Sequence, residues 1–163
     1  MIVALQDHKK KIAGGVVGTA AAIALAANVL IYPSEGERHT VYRDVVGMLT
    51  VCVGETHNIQ IGHVYSHAEC MNMLDGRLAE FDKGVRDCTR DDMPTEVEAA
   101  ALSLAYNIGL GGFCKSTFAR KVKAGDYDGA CNSLMLYDRA GGREIAGLKN
   151  RRARERKVCV EGL

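Results

Sequence analysis

The chain has 163 residues, of which 47% are hydrophobic and 25% are charged, and these values are typical of a globular domain that can bury a core. Two prolines exclude a proline-rich scaffold, and a formal net charge of +1 argues against a protein that binds nucleic acid through its overall charge. Six cysteines in so short a chain indicate an oxidising compartment or a metal site.

The chain begins with a candidate membrane segment. Residues 12–32 are 21 positions without a charged side chain, which is enough for one helix to cross a bilayer. The lysines at positions 9–11 predict that the N-terminus stays in the cytoplasm and that the rest is exported across the membrane. Seven alanines and three glycines remove little apolar area from water, so the segment should anchor weakly.

Three fates of this segment stay open: a permanent anchor, a signal cleaved at Ala24-Leu25-Ala26, and an uncleaved signal that later leaves the membrane. A buried core helix is disfavoured by the flanking lysines and by the length of the segment. We therefore divide the chain into a cytoplasmic stub with a weak signal-anchor segment, residues 1–32, and an exported domain, residues 33–163.

A small irregular sheet is predicted next. Short β-type runs at residues 40–42 and 48–53 flank a turn at residues 44–47. The pattern then becomes helical, with a capping box at residues 66–69 and an apolar run at residues 99–108 that predicts a central buried helix. Further along come predicted helices at residues 116–124 and 127–138, a glycine linker at 141–142 and a basic C-terminal helix.

The predicted fold is α+β, with a small sheet lobe, a larger helical lobe and a cleft between them where a ligand could bind. The C-terminal stretch, residues 143–163, carries seven Lys/Arg against three Asp/Glu. We expect these charges to lie on a solvated helix face, with contact to an anionic polymer or a lipid surface as the alternative.

The cysteines favour disulfides between sequence neighbours. No Cys-x-x-Cys motif points to a zinc ribbon, and the simplest pairing is 52–70, 88–114 and 131–159. Each bond should contribute roughly 3–4 kcal/mol. The histidines are expected at the surface. A metal site is the less favoured alternative, because its spacing fits no template, and would use Cys52, His57, His63, His67 and Cys70.

Two carboxylic acids and a threonine form the candidate active site. Glu35 follows the apolar segment, Asp44 lies nine residues later in the predicted turn, and Thr50 lies six residues further on the next strand. A partly buried glutamic acid at a helix end can hold a proton, whereas an aspartate on a wet turn stays ionised and a threonine beside it can help hold a water. A glycosidase needs one proton donor, one carboxylate and one positioned water.

This spacing resembles the Glu-x8-Asp-x5-Thr signature of phage-type lysozymes. The similarity continues in Tyr42-Arg43-Asp44-Val45-Val46-Gly47 and in Ala105-Tyr106-Asn107-Ile108-Gly109, and it covers about residues 33–160. With the weak N-terminal segment, the whole chain is similar to the signal-anchor-release endolysins of lambdoid phages and prophages. The resemblance implies a lysozyme-like fold that acts as a monomer on peptidoglycan during host cell lysis.

The resemblance also implies hydrolysis of the β-1,4 bond between N-acetylmuramic acid and N-acetylglucosamine. Glu35 would protonate the leaving oxygen, Asp44 would orient the attacking water and Thr50 would help hold that water, without a metal or cofactor. A tether in the inner membrane would keep the enzyme inactive until its release into the periplasm. Because Asp44 stands where some relatives have a cysteine and no cysteine precedes Cys52, this restraint should come from topology and not from disulfide exchange.

The chain departs from the family pattern in two respects, at Glu55 and in the absence of a tryptophan, at whose place Tyr137 stands. Glu55 replaces a histidine common in relatives, which could alter the support of Glu35 or contacts to sugar. Arg151 or Arg152 could pair with Glu35, but we expect both to be solvated, and Tyr137 is expected in the core. Two rival functions stay open: a lytic transglycosylase, against which the second acid speaks, and a membrane-active or peptidoglycan-binding protein without enzymatic activity.

Overall fold

A computed structural model describes residues 19–44 and 46–163, and these form the predicted α+β fold. The lysines at 9–11 and the first part of the predicted membrane segment, residues 12–18, lie outside the described residues. Of the helices in the described ranges, none combines the length and the apolar character that a membrane span requires.

The first helix, α1, runs from residue 19 and ends in a π-helical turn, Ala26–Ile31, followed by Tyr32–Glu35. Gly36 ends it with φ +72°, a backbone conformation that glycine adopts without steric cost. The predicted boundary after residue 32 therefore falls inside a continuous helix. The face that α1 turns toward the helical lobe is fully buried and consists of Ala22, Ala26, Ala27, Leu30 and Ile31.

The sheet lobe is a hairpin of β1, Arg38–Arg43, and β2, Leu49–Cys52. The two strands are antiparallel with Tyr42 opposite Thr50, as the alternating pattern and the predicted turn require. The register shifts between Arg38 and Tyr42, which bends the hairpin at the start of β1.

The helical lobe surrounds a central helix, α3, whose residues from Val97 to Ala105 are all buried. The predicted capping box is present, since Glu69 and Ser66 each accept a backbone N–H of the other at the start of α2. The helices of this lobe are α2 (His67–Cys88), α3 (Thr95–Ile108), α4 (Leu110–Cys114), α5 (Thr117–Lys123), α6 (Tyr127–Ser133) with a 3-10 turn (Leu134–Tyr137), and α7 (Ala146–Glu161).

One short helix was not predicted, and one local prediction was wrong. The glycines after Ile108 interrupt the chain for one residue only, because Gly109 turns it with φ +79° and the helix α4 starts at once. The predicted linker at residues 141–142 is a tight hairpin turn between two short strands, β3 (Arg139–Ala140) and β4 (Arg143–Glu144). Both glycines there have positive φ, which a two-residue hairpin turn requires.

Three disulfides fasten these elements, and their pairing is the predicted one. Cys52–Cys70 joins β2 to α2, Cys88–Cys114 joins α2 to α4, and Cys131–Cys159 joins α6 to α7. The alternative metal site is excluded in this form, because Cys52 and Cys70 are oxidised and offer no thiolate.

Candidate active site

Glu35 opens onto a cavity between the two lobes. It is the last residue of α1, and 31% of its side chain is exposed, so the carboxyl group is partly buried as predicted. The cavity has a volume of about 290 Å³, which is large enough to hold a sugar-sized group. The other residues that line it are Gly54, Arg77, Phe81, Tyr106 and Asn107.

Arg151 of α7 forms an ion pair with Glu35, and both Arg151 and Arg152 are buried. The prediction that these two arginines are solvated was therefore wrong. The reason is Glu155, one turn further along α7, which is fully buried and accepts a hydrogen bond from each arginine at 3.1 and 2.8 Å. A charge leaves water only when it is paired, and here one carboxylate pairs with two arginines.

The buried carboxylate of Glu155 is held from α3 as well. Ser103 donates its hydroxyl to Glu155 at 2.6 Å, and Arg151 donates to the Ser103 carbonyl at 3.2 Å. Burial raises the pKa of Glu155 and lowers that of Arg152, while their mutual attraction opposes both shifts. These contacts with Glu155 and Ser103 hold the Arg151 guanidinium group in the core independently of its ion pair with Glu35.

Asp44 and Thr50 lie together in the hairpin of the sheet lobe. Asp44 accepts the backbone N–H groups of Val46 and Met48 on Oδ1, at 3.0 and 2.9 Å, and so closes the turn. Thr50 is 4% exposed and donates its hydroxyl to the Met48 carbonyl at 3.2 Å. Among the described residues, neither of the two belongs to the lining of the cavity that holds Glu35.

Tyr106 lines the cavity, and the sequence analysis assigned it no role. Its hydroxyl donates to the Val53 carbonyl at 2.7 Å and so ties α3 to the end of β2. Burial, with Glu35 and Glu55 nearby, raises the pKa of Tyr106 to about 12, so it remains a hydrogen-bond donor at physiological pH. Its place in the Tyr106-Asn107 pair at the end of the apolar run was the available signal.

Glu55 stabilises the turn that follows β2. Its Oε1 accepts the backbone N–H groups of Thr56 and His57, both at 2.7 Å. His57 is exposed, as predicted for the histidines, and Tyr137 packs against the core while its hydroxyl accepts the N–H of Thr117. Glu55 thus stabilises the local backbone.

The small hairpin, the long helix beside it and the partly buried acid at the cleft define a lysozyme-like fold. A family model described as phage lysozyme matches residues 33–155, and the chain belongs to this family. Proteins of this family lyse peptidoglycan, and this chain is a peptidoglycan-lysing enzyme of the phage endolysin type.

Comparison with individual proteins agrees with this assignment. The chain is 38% identical to the SAR-endolysin of Enterobacteria phage P21 over 94% of its own length and 96% of that protein. The active form of the P1 phage endolysin Lyz superposes with a TM-score of 0.74 at 25% identity, covering 84% of each chain. A variant of P22 lysozyme superposes with a TM-score of 0.76 at 26% identity, covering 83% of this chain and 94% of the other.

Proposed function

We propose that the protein is a muramidase that hydrolyses the β-1,4 bond between N-acetylmuramic acid and N-acetylglucosamine, with Glu35 as the general acid. The supporting observation is a partly buried carboxyl group at the end of a helix, directed into a cavity between the lobes. A general acid must lie within hydrogen-bond reach of the leaving oxygen, and a sugar bound in this cavity would meet the Glu35 carboxyl.

Arg151 interacts with Glu35 both before and after the proton transfer. Its charge is shared between Glu35 and the buried Glu155, so it does not belong to Glu35 alone. Once Glu35 has given its proton to the leaving oxygen, the carboxylate that remains lies against a fixed guanidinium group. Arg151 therefore stabilises the charge that develops on the acid as the bond breaks.

Asp44 and Thr50 are proposed to serve the attacking water. The described hydrogen bonds of Asp44 end on Oδ1, which leaves Oδ2 able to accept from a water molecule. The carboxylate also stabilises positive charge on the sugar ring in the transition state. An acid, a carboxylate and a water are sufficient for this reaction, so no metal or cofactor is invoked.

The test is the product of peptidoglycan digestion by the purified chain and by Glu35→Gln. We expect reducing muramic ends from the wild type and a loss of at least about 100-fold in rate for Glu35→Gln. Glu144→Gln, which alters an exposed carboxylate on β4, is the matched control and should keep full activity. Anhydro products would instead show a lytic transglycosylase, and unchanged lysis by Glu35→Gln would show a protein that acts without this acid.

We further propose that the N-terminal segment tethers an inactive enzyme to the inner membrane and that release into the periplasm activates it. The apolar side chains of α1 that a bilayer would surround are core residues of the folded protein. One segment cannot fill both environments, so a tethered chain lacks part of its core and the helix end that carries Glu35. All six cysteines are already paired with each other, which supports restraint by topology.

Cell fractionation before and after an uncoupler tests the tether. We expect the full-length chain to move from the membrane to the soluble pool with unchanged intact mass and to gain activity as it moves. A shorter soluble product would show signal cleavage, and retention in the membrane with full lysis would show a permanent anchor.

A further inference from the structure

A second carboxylate, two residues beyond Glu35, connects the elements around it. The Glu37 side chain is only 9% exposed, although it lies in the short connection between α1 and β1. Its Oε2 accepts the hydroxyl of Tyr32, in the last turn of α1, at 2.7 Å. It also accepts the Nδ1–H of His67, the first residue of α2, at 3.1 Å. Glu37 therefore joins the end of α1 to the start of α2.

The strand β1 approaches the same carboxylate through His39. The Nδ1–H of His39 donates to the Tyr65 carbonyl at 2.6 Å, so the Nε2 atom faces Glu37 at 3.8 Å. Tyr65 in turn donates its backbone N–H to the His39 carbonyl at 2.8 Å. The side chain of Glu37 is thus surrounded by groups from α1, β1 and α2.

Glu37 is held as an anion in this position. Burial alone would favour the neutral acid, but hydrogen bonds from Tyr32 and His67 outweigh it and lower the pKa of Glu37 below its ordinary value. The cluster does not form a metal site, because the third possible ligand, Cys70, is in a disulfide with Cys52.

Glu35 lies in the last turn of α1, so its position depends on where this helix end is held. Gly36 adopts φ +72° and donates its N–H to the Tyr32 carbonyl at 3.3 Å, and Glu37 is the next residue. Proton transfer to the leaving oxygen needs the acid within hydrogen-bond reach of one atom, and a displacement of about 1 Å can lower the rate strongly. Hydrogen bonds that hold the chain at Glu37, directly after Gly36, would provide that precision.

We infer that Glu37 is a positioning residue for Glu35: through its hydrogen bonds with Tyr32 and His67 it holds the end of α1 against the start of α2. The inference rests on the proposed function, since it assigns Glu37 to the support of the proposed acid. It gives Glu37 no contact with the substrate and no proton to transfer. Its effect should therefore fall on the turnover number and leave substrate binding nearly unchanged.

The full chain with its disulfides formed is assayed on purified peptidoglycan as wild type, Glu37→Ala and Glu37→Gln. We expect Glu37→Ala to lower kcat by about 10-fold or more while KM stays within about twofold. Glu37→Gln keeps an oxygen that accepts the Tyr32 hydroxyl, so it should restore kcat to within about threefold of the wild type.

The matched control is Glu69→Ala. Glu69 is also a carboxylate at the start of α2 that contacts a histidine, since its Oε1 lies 2.9 Å from His63, but its hydrogen bonds go to Ser66 and His63. Loss of the capping box should lower the melting temperature while kcat remains that of the wild type. Should Glu37→Ala fail to fold, Tyr32→Phe removes a single hydroxyl from the cluster and should lower kcat at an unchanged melting temperature.

A wild-type kcat in the folded Glu37→Ala variant would overturn the inference. A loss of kcat in Glu69→Ala in proportion to its loss of stability would also overturn it. The loss of kcat in Glu37→Ala would then be explained by impaired folding alone. Failure of the proposed function is recognised separately, since Glu35→Gln would then keep its activity whatever Glu37→Ala does.

Discussion

The first and last helices of this protein have opposite compositions and reach the same core. The described part of α1 has no charged residue before its last position, Glu35, whereas α7 has eight charged residues among its 16. Yet α1 contributes fully buried alanines, leucine and isoleucine, and α7 contributes buried Arg151, Arg152 and Glu155. The two helices meet at the ion pair between Glu35 and Arg151.

The difference teaches which side chains can change their environment. An apolar helix face is removed from water both in lipid and in a protein core, so the apolar face of α1 is suited to either environment. The charged groups of α7 can leave water only in the presence of each other and of Ser103. The apolar face of α1 therefore needs no particular partner side chain, while the core position of α7 is specified by its own partners.

The largest effect should come from removing the shared partner in α7. Glu155→Gln leaves Arg151 and Arg152 buried without a full counter-charge, and we expect it to lower the free energy of unfolding by about 3–5 kcal/mol. Denaturant unfolding of the released form measures this. Glu144→Gln at the exposed pair with Lys149 should have no measurable effect. Equal stability of both variants would contradict the assigned role of the buried network.

A smaller loss is expected from the apolar face of α1. Leu30 is fully buried, and Leu30→Ala should cost about 2–5 kcal/mol through lost apolar contact and the cavity it leaves. Its neighbour Val29 is 45% exposed, so Val29→Ala should cost less than about 0.5 kcal/mol. If both substitutions had the same small effect, α1 would not be part of the core in the soluble protein.

A pH dependence is expected near the first described residues of α1. Arg86 of α2 contacts Thr19 in α1 and Glu98 in α3. Burial, together with the hydrogen bond that the protonated Glu98 carboxyl donates to Asp82, raises the pKa of Glu98 to about 7. The ordinary pKa is 4.5, so the folded state holds this proton more tightly than the unfolded chain does. The stability from Glu98 is complete below about pH 4.5 and is lost as the pH rises through 7.

Between about pH 4.5 and 7, the free energy of unfolding should decline with pH. Glu98 should contribute a slope of up to about 1.4 kcal/mol per pH unit. Glu98→Gln cannot titrate and should remove that part of the slope. A slope that Glu98→Gln leaves unchanged would assign the pH dependence to other groups.

Much of the fold could be predicted because its signals are local. The capping box at Ser66 and Glu69, the turn closed by Asp44 and the apolar run of α3 each depend on residues close in sequence. The predicted pairing of neighbouring cysteines was also confirmed. Each disulfide joins cysteines that are close in sequence, with separations of 18, 26 and 28 residues. The short helix α4 was missed because a single glycine can redirect a chain without ending its helical tendency.

The candidate site was only partly accessible in this way. The partly buried state of Glu35 was predicted, but its partner Arg151 comes from 116 positions further along the chain and was expected in water. Tyr106 and the cluster around Glu37 also depend on residues that no short pattern connects.

The sequence by itself determined most of the helices and strands and the family to which the chain belongs, and it favoured the simplest of the possible cysteine pairings. Only the tertiary structure decided that an uncharged segment fills a protein core and that two arginines leave water beside it. The physical reason is that periodicity, turns and capping are short-range properties of the chain, whereas the free energy of burying a group depends on the partners it meets after folding.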